Sequence, residues 1–140
     1  MITYVDTSTL LKLLVDEVGS DRAAQVWEGA DDLASVSLTA VEARAALAAA
    51  TRAKRITAAQ HRRAKASLSA LLATVEMIDV TTNLVTAAAD LAEREHLRGY
   101  DAVHLAGALL VRAAALSSAD NALCAAATRQ GISVANPLVH

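Results

Sequence analysis

The chain has 140 residues, 54% hydrophobic and 20% charged, with one Pro and five Gly; this is the size of one domain spanning 1–140 and too apolar for a disordered chain. A lone Cys124 and four scattered histidines (His61, His96, His104 and His140) exclude an internal disulfide and a thiolate zinc cluster, and three aromatics (Tyr4, Trp27, Tyr100) are too few to bind unpaired bases mainly by stacking. The net charge of −2 hides a segregation: residues 43–75 hold seven basic side chains and no acidic one, leaving all fifteen carboxylates to the rest of the chain, a pattern suited to a polyanion held beside an acidic centre.

Ile2 to Val5 is a short β-branched and aromatic run that predicts a buried strand, and Asp6 to Thr9 then supply capping side chains for a helix whose stripe is Leu10, Leu11, Leu13 and Leu14 and which Gly19 ends. Ser20 opens a second helix, with Ala23, Ala24, Val26 and Trp27 inward, that stops near Gly29. A strand is predicted at 33–37, a long Ala-rich helix at 39–52 and another helix at 57–74. A strand at 76–80, a helix at 82–96 and a break at Gly99 lead to a helix from Asp101 to about 114. A strand at 115–118, a helix at 120–130 and a strand at 132–135 close the chain. With 34 Ala, the helices are strong formers that pack closely. Strands alternating with helices predict an α/β fold, a central and mainly parallel sheet covered on both faces. The longest apolar stretch, Leu105 to Leu116, is too short to span a bilayer and is broken by Arg112, and Met1 to Asp6 does not resemble a signal peptide. A cytoplasmic protein with no membrane partner is expected.

In open parallel sheets, ligands bind beyond the carboxyl ends of the strands. Asp6 ends the first strand, Asp120 follows the strand at 115–118, and Glu42 lies in the first helical turn after the strand at 33–37. Asp101 opens a helix and joins them if that helix points toward the same edge. Each also has a structural explanation, since Asp6, Asp101 and Asp120 stand where helix caps are wanted and Thr39-Ala40-Val41-Glu42 has the pattern of a capping box. Together the explanation weakens, because four carboxylates at one edge repel unless a cation sits among them. Oxygen donors without Cys or His select a hard ion, Mg²⁺ or Mn²⁺, and such ions activate water and neutralise phosphate in phosphodiester hydrolysis.

The ordered motifs Tyr4-Val5-Asp6-Thr7-Ser8, Glu42 after Ser37-Leu38-Thr39, Tyr100-Asp101-Ala102-Val103-His104-Leu105-Ala106 and Ser117-Ser118-Ala119-Asp120-Asn121-Ala122-Leu123 resemble those of PIN-domain ribonucleases, most closely the VapC-type toxins of bacterial toxin–antitoxin pairs. The resemblance covers essentially the whole chain and implies a PIN-like three-layer fold. It implies that Asp6, Glu42, Asp101 and Asp120 hold Mg²⁺ or Mn²⁺, with Asp6 and Asp101 the most direct ligands, and that Ser8 and Ser118 bond the carboxylates or a metal-bound water. Many relatives have Thr at the position of Ser118, which keeps the hydroxyl. It further implies an endoribonuclease that inhibits translation or growth, a homodimer, and a small antitoxin protein whose tail blocks the acidic site, commonly with an Arg. A groove between the helices at 7–16 and 39–52 is a candidate clamp for that tail. Tyr100 and His104 read as packing and surface contacts. Arg52, Arg55, Arg62 and Arg63, in the basic segment, are candidate RNA contacts.

Three other readings compete. A haloacid-dehalogenase-type phosphatase needs a second Asp two residues after the first, where this chain has Ser8. A catalytically silent α/β binding module would use the four carboxylates only as caps. A PIN nuclease acting on DNA, or one outside any toxin–antitoxin pair, would keep the same site.

Overall fold

The computed structural model describes residues 1–139, so His140 lies outside the described residues. The elements follow the predicted order: β1 (Ile2–Val5), α1 (Thr7–Leu14), α2 (Ser20–Gly29), β2 (Asp32–Val36), α3 (Leu38–Arg52), α4 (Ala58–Leu72), β3 (Glu76–Ile78), α5 (Thr82–Glu95), α6 (Gly99–Leu110), β4 (Ala115–Ser117), α7 (Asn121–Arg129) and β5 (Ser133–Ala135). The strands form one parallel sheet in the order β3-β2-β1-β4-β5, with Tyr4 level with Ala34 on one side and Leu116 on the other. The chain moves outward from β1 to β3, then crosses back to β4. The order therefore reverses between β1 and β4, and the crevice at their carboxyl ends is the natural ligand site of such a sheet.

Two cores explain why the strands read as continuous apolar runs. On one face Tyr4, Val36, Ile78 and Leu116 lie under Leu84 and Leu91 of α5, Leu105 of α6 and Leu123 of α7. On the other, Leu10 of α1 packs with Ala43 of α3, Leu68 of α4 and Trp27 of α2, and Leu47, Ala50, Ile56 and Ala64 extend the layer. Each fully buried leucine contributes about 1.5–3 kcal/mol, and the alanines let the helices close on the sheet. Gly107 shows how tight this approach is: a Cβ there would stand 3.2 Å from Tyr4 Cε2 and 3.3 Å from its hydroxyl. No helix of the described residues is long and apolar enough to cross a membrane.

Several predicted boundaries move, each for a local reason. The strand predicted at 33–37 ends at Val36 because Ser37 turns into the helical region (φ −59°, ψ −23°) and precedes α3. The strand predicted at 76–80 ends at Ile78, level with Val36, where the Ser37 N–H donates to the Ile78 carbonyl at 2.9 Å. α1 stops at Leu14, with Val15 extended, well before Gly19. α6 stops at Leu110 rather than near 114, shortly before Arg112 adopts φ 53°. Its start also moves. Arg98 is the extended residue before the helix, and the Ala102 N–H closes the first turn on the Arg98 carbonyl, so Gly99, Tyr100 and Asp101 are helical.

The groove expected between 7–16 and 39–52 is filled, since Leu10 of α1 packs with Ala43 of α3, and Leu11 and Leu14 pack against the Leu47 cluster. An open groove lies instead along α3 and α4, a cavity of about 600 Å³ lined by Val41, Arg44, Ala45, Ala48, His61 and Lys65.

Candidate active site

Asp6 leaves β1 and caps α1, accepting the Thr9 N–H on Oδ1 at 3.1 Å. Two hydroxyls complete its shell: Ser8 Oγ donates to Oδ1 and Ser118 Oγ to Oδ2, both at 2.6 Å. Both serines are held in turn by backbone from the β4 side, because Ser8 Oγ accepts the Ala119 N–H at 2.9 Å and Ser118 Oγ the Asp120 N–H at 3.0 Å. The ends of β1 and β4 are thus stitched together across the crevice. Asp6 is buried, and burial pushes its carboxyl above the ordinary range although His104, Ser118, Ser8 and the Thr9 N–H all favour the charged form.

Asp120 caps α7, accepting the Leu123 N–H at 2.9 Å. Asp101 is not a cap. It sits in the first turn of α6, and burial, then the neighbouring charge of Asp120, push its carboxyl up against the pull of Arg98 and His104. The guanidinium of Arg98 lies across the two acids, with Nε 3.4 Å from Asp101 Oδ2 and Nη2 3.3 Å from Asp120 Oδ2. The negative field reaches Cys124 as well: burial, then Asp6 and Asp120, raise its thiol to about 11, so it stays protonated and donates to the Ser118 carbonyl at 3.3 Å.

Glu42 belongs to no capping box. α3 begins at Leu38 without a side-chain cap, and the Thr39 hydroxyl pairs with that of Ser35 at 2.7 Å. The Glu42 carboxylate turns instead into the crevice, where Oε1 accepts from Thr7 Oγ1 at 2.9 Å and from His104 Nε2 at 2.7 Å. Since a carboxylate only accepts, His104 carries a proton on Nε2, and its Nδ1 pairs with the Tyr4 hydroxyl at 2.8 Å. Burial holds the Tyr4 phenol far above its ordinary range, so it remains a donor. Burial alone would raise Glu42 too, but the hydrogen bond and charge of His104, with Thr7, hold it below its ordinary value.

The expected hydrogen bonds of Ser8 and Ser118 to a carboxylate are therefore present on Asp6. His104, read from sequence as packing, instead connects β1 through Tyr4 to Glu42 on α3. Its spacing three residues after Asp101, which puts both on one helix face, was the available signal; Arg98, three residues before Asp101, had the same one. Thr7 had none beyond its place beside Asp6. Tyr100 is exposed. Arg52, Arg55, Arg62 and Arg63 are exposed and without an ion-pair partner among the described residues. Arg52 lies at the far end of α3 from Glu42, roughly 15 Å along the helix axis.

As a test of fit to a metal, the oxygen-only donor set suits a hard divalent cation. Asp101 and Asp120 already hold a cationic group between them in the form of Arg98. Asp6 and Glu42 are turned toward their own donors, and among the described residues no three His, Cys, Asp or Glu side chains stand close enough to share one ion in this arrangement.

A parallel sheet with hydroxyl-braced carboxylates at its switch point defines an α/β protein with an acidic centre. Comparison with known proteins makes this specific: the PIN domain family model matches residues 3–128, and the chain belongs to the PIN-domain family. Ribonuclease VapC45 of Mycobacterium tuberculosis is 39% identical over 110 residues, covering 79% of this chain and 76% of the relative. Among solved structures, VapC20 of M. tuberculosis, described as a sarcin-ricin loop cleaving toxin, superposes with a TM-score of 0.70 at 18% identity, covering 89% of this chain and 94% of the other. A toxin-antitoxin complex from Klebsiella pneumoniae contains a chain with a TM-score of 0.63 at 22% identity, covering 88% and 90%.

Proposed function

We propose that this protein is a cytoplasmic endoribonuclease, dependent on Mg²⁺ or Mn²⁺, that hydrolyses RNA phosphodiester bonds. It acts as the toxin of a toxin–antitoxin pair, inhibiting translation or growth unless a small antitoxin protein covers its site. The observation that carries this reading is the acidic edge at the β1/β4 switch point, where Asp101 and Asp120 face a shared cation and Asp6 is braced by two serines. The ribonuclease named among its relatives and the toxin structures among its neighbours support it.

Asp6, Glu42, Asp101 and Asp120 would hold the ion after their side chains turn inward from the present arrangement, in which no three of them are close enough to share it. Bound there, a divalent ion would make an attacking water more acidic and offset the charge of the phosphate. Ser8 and Ser118 keep Asp6 in one orientation. Thr7 and His104 hold Glu42 by Oε1 alone, which leaves Oε2, without a protein partner among the described residues, open to a ligand or to a proton leaving the attacking water. Because Glu42 is held below its ordinary range, it stays a carboxylate in this role. Arg52, Arg55, Arg62 and Arg63 would bind the RNA backbone. A second copy of the chain would cover the apolar groove between α5 and α6, where Val85, Ala89, Tyr100 and Val103 line a cavity of about 390 Å³.

Incubation of the purified protein with an RNA and a single-stranded DNA of the same sequence, with Mg²⁺ and then with EDTA, tests this reading. RNA is cleaved, DNA is not, and EDTA stops the reaction. Equal cleavage of DNA would favour the DNA-directed reading, and cleavage indifferent to EDTA would overturn the proposal.

A further inference from the structure

Arg98 occupies the residue before α6, where Ser, Thr, Asp or Asn would satisfy a free N–H and where a cation opposes the helix dipole. It makes no capping hydrogen bond. Residues that break a local rule in this way are expected at functional sites, and the side chain shows what is gained. Its guanidinium bridges Asp101 Oδ2 and Asp120 Oδ2, and among the described residues no other Lys or Arg pairs with any of the four site carboxylates. The contacts, 3.4 and 3.3 Å, are longer than the roughly 2.7–2.9 Å of strong charge-assisted bonds. With 83% of its surface exposed, the side chain is held by charge and not by packing.

We propose that Arg98 is an exchangeable resident cation: it occupies the Asp101–Asp120 pair while no divalent ion is bound and leaves when one enters. One guanidinium bridging Asp101 and Asp120 places a positive charge between two carboxylates, and Arg98 supplies it without the tight packing that would make it permanent. A divalent ion on the same two oxygens repels the guanidinium, so occupancy is exclusive. Arg98 is thus a positioning residue that keeps the acids paired and sets the concentration of ion needed to load the site. This rests on the reading of the site as a metal centre, and its test separates the two.

Arg98→Ser removes the guanidinium and supplies a capping hydroxyl, so the variant folds as well as the parent and its melting temperature is unchanged or higher. Binding of Mn²⁺ to the full chain, without RNA, is measured by calorimetry for both proteins. The variant binds about three- to tenfold more tightly, the range accessible to exposed ion pairs, whereas Arg22→Ala, which removes the same charge from α2, leaves the affinity unchanged. In the parent, the Arg98 Nε–H NMR signal shifts in step with Mg²⁺ binding. Equal Mn²⁺ affinity in Arg98→Ser and the parent, or an Arg98 signal unmoved at saturating Mg²⁺, would overturn the exchange while leaving the metal centre intact. Absence of Mn²⁺ binding in both proteins would overturn the metal centre itself and the exchange with it.

Discussion

Replacing Ser118 with Ala removes one oxygen atom from a fully buried position and breaks its two short hydrogen bonds at once, besides a 3.5 Å contact with Ser8 Oγ. Ser118 Oγ donates to Asp6 Oδ2 at 2.6 Å and accepts the Asp120 N–H at 3.0 Å. A hydrogen bond to a charged group is worth about 1.5–3 kcal/mol and a neutral one about 1 kcal/mol, so Ser118→Ala costs about 2.5–4 kcal/mol when Asp6 is ionised. For a chain of this length that lowers the melting temperature by roughly 6–14 °C. The cost depends on pH with a definite sign. The folded carboxyl of Asp6 is raised above its ordinary value by burial, so ionising it as pH rises costs stability in the parent. Losing the Ser118 donor raises it further, so the variant falls away from the parent as pH rises above the ordinary carboxylate range. In acid, with Asp6 protonated, both lost bonds are neutral and the cost falls to about 2 kcal/mol. Urea unfolding of both proteins at about pH 4 and about pH 7.5 measures the difference. A cost that is equal at the two pH values would refute the claim that this hydroxyl serves an ionised, buried carboxylate.

Two further variants probe the rest of the site. His104→Ala removes the principal donor to Glu42; because the folded Glu42 is held below its ordinary value, the parent carries stability that is present above that value and lost as pH falls through the folded one, and the variant shows a flatter acid limb in a pH series of unfolding curves. Retention of the parent's acid limb would contradict the Tyr4–His104–Glu42 connection. Neutralising Arg62 and Arg63 together lowers RNA affinity and reduces the slope of log affinity against log salt by ~1.4, about 0.7 for each phosphate contact, and leaves Mn²⁺ binding alone. An unchanged slope in a filter-binding series returns these residues to a solvated helix face.

The pattern of residues predicts the architecture well because it is strongly periodic: short β-branched runs such as Ile2–Val5 alternate with long alanine-rich helices, and the parallel sheet follows from that alternation. Caps were legible where the side chain serves its own helix, as at Asp6 and Asp120. They were misread where a partner distant in sequence takes the side chain. Thr39 and Glu42 match a capping box, but Thr39 bonds Ser35 and Glu42 bonds Thr7 and His104. The true box, Thr57 with Gln60, stands on α4. Arg98 escaped notice for the same reason, since its partners are a helical neighbour and a residue 22 positions away. Local rules place a carboxylate at an element's end; only the packed molecule decides which neighbour it serves.

The carboxylates at the β1/β4 edge have either a chemical or a structural role. Asp101→Asn separates the two directly, because Asp101 caps nothing and the substitution is nearly isosteric. RNA cleavage by the purified protein in Mg²⁺ should fall by at least about a hundredfold, as for removal of a principal electrostatic group, with the melting temperature within about 3 °C of the parent. Cleavage at the parent rate would contradict the account and leave the four acids as parts of the scaffold.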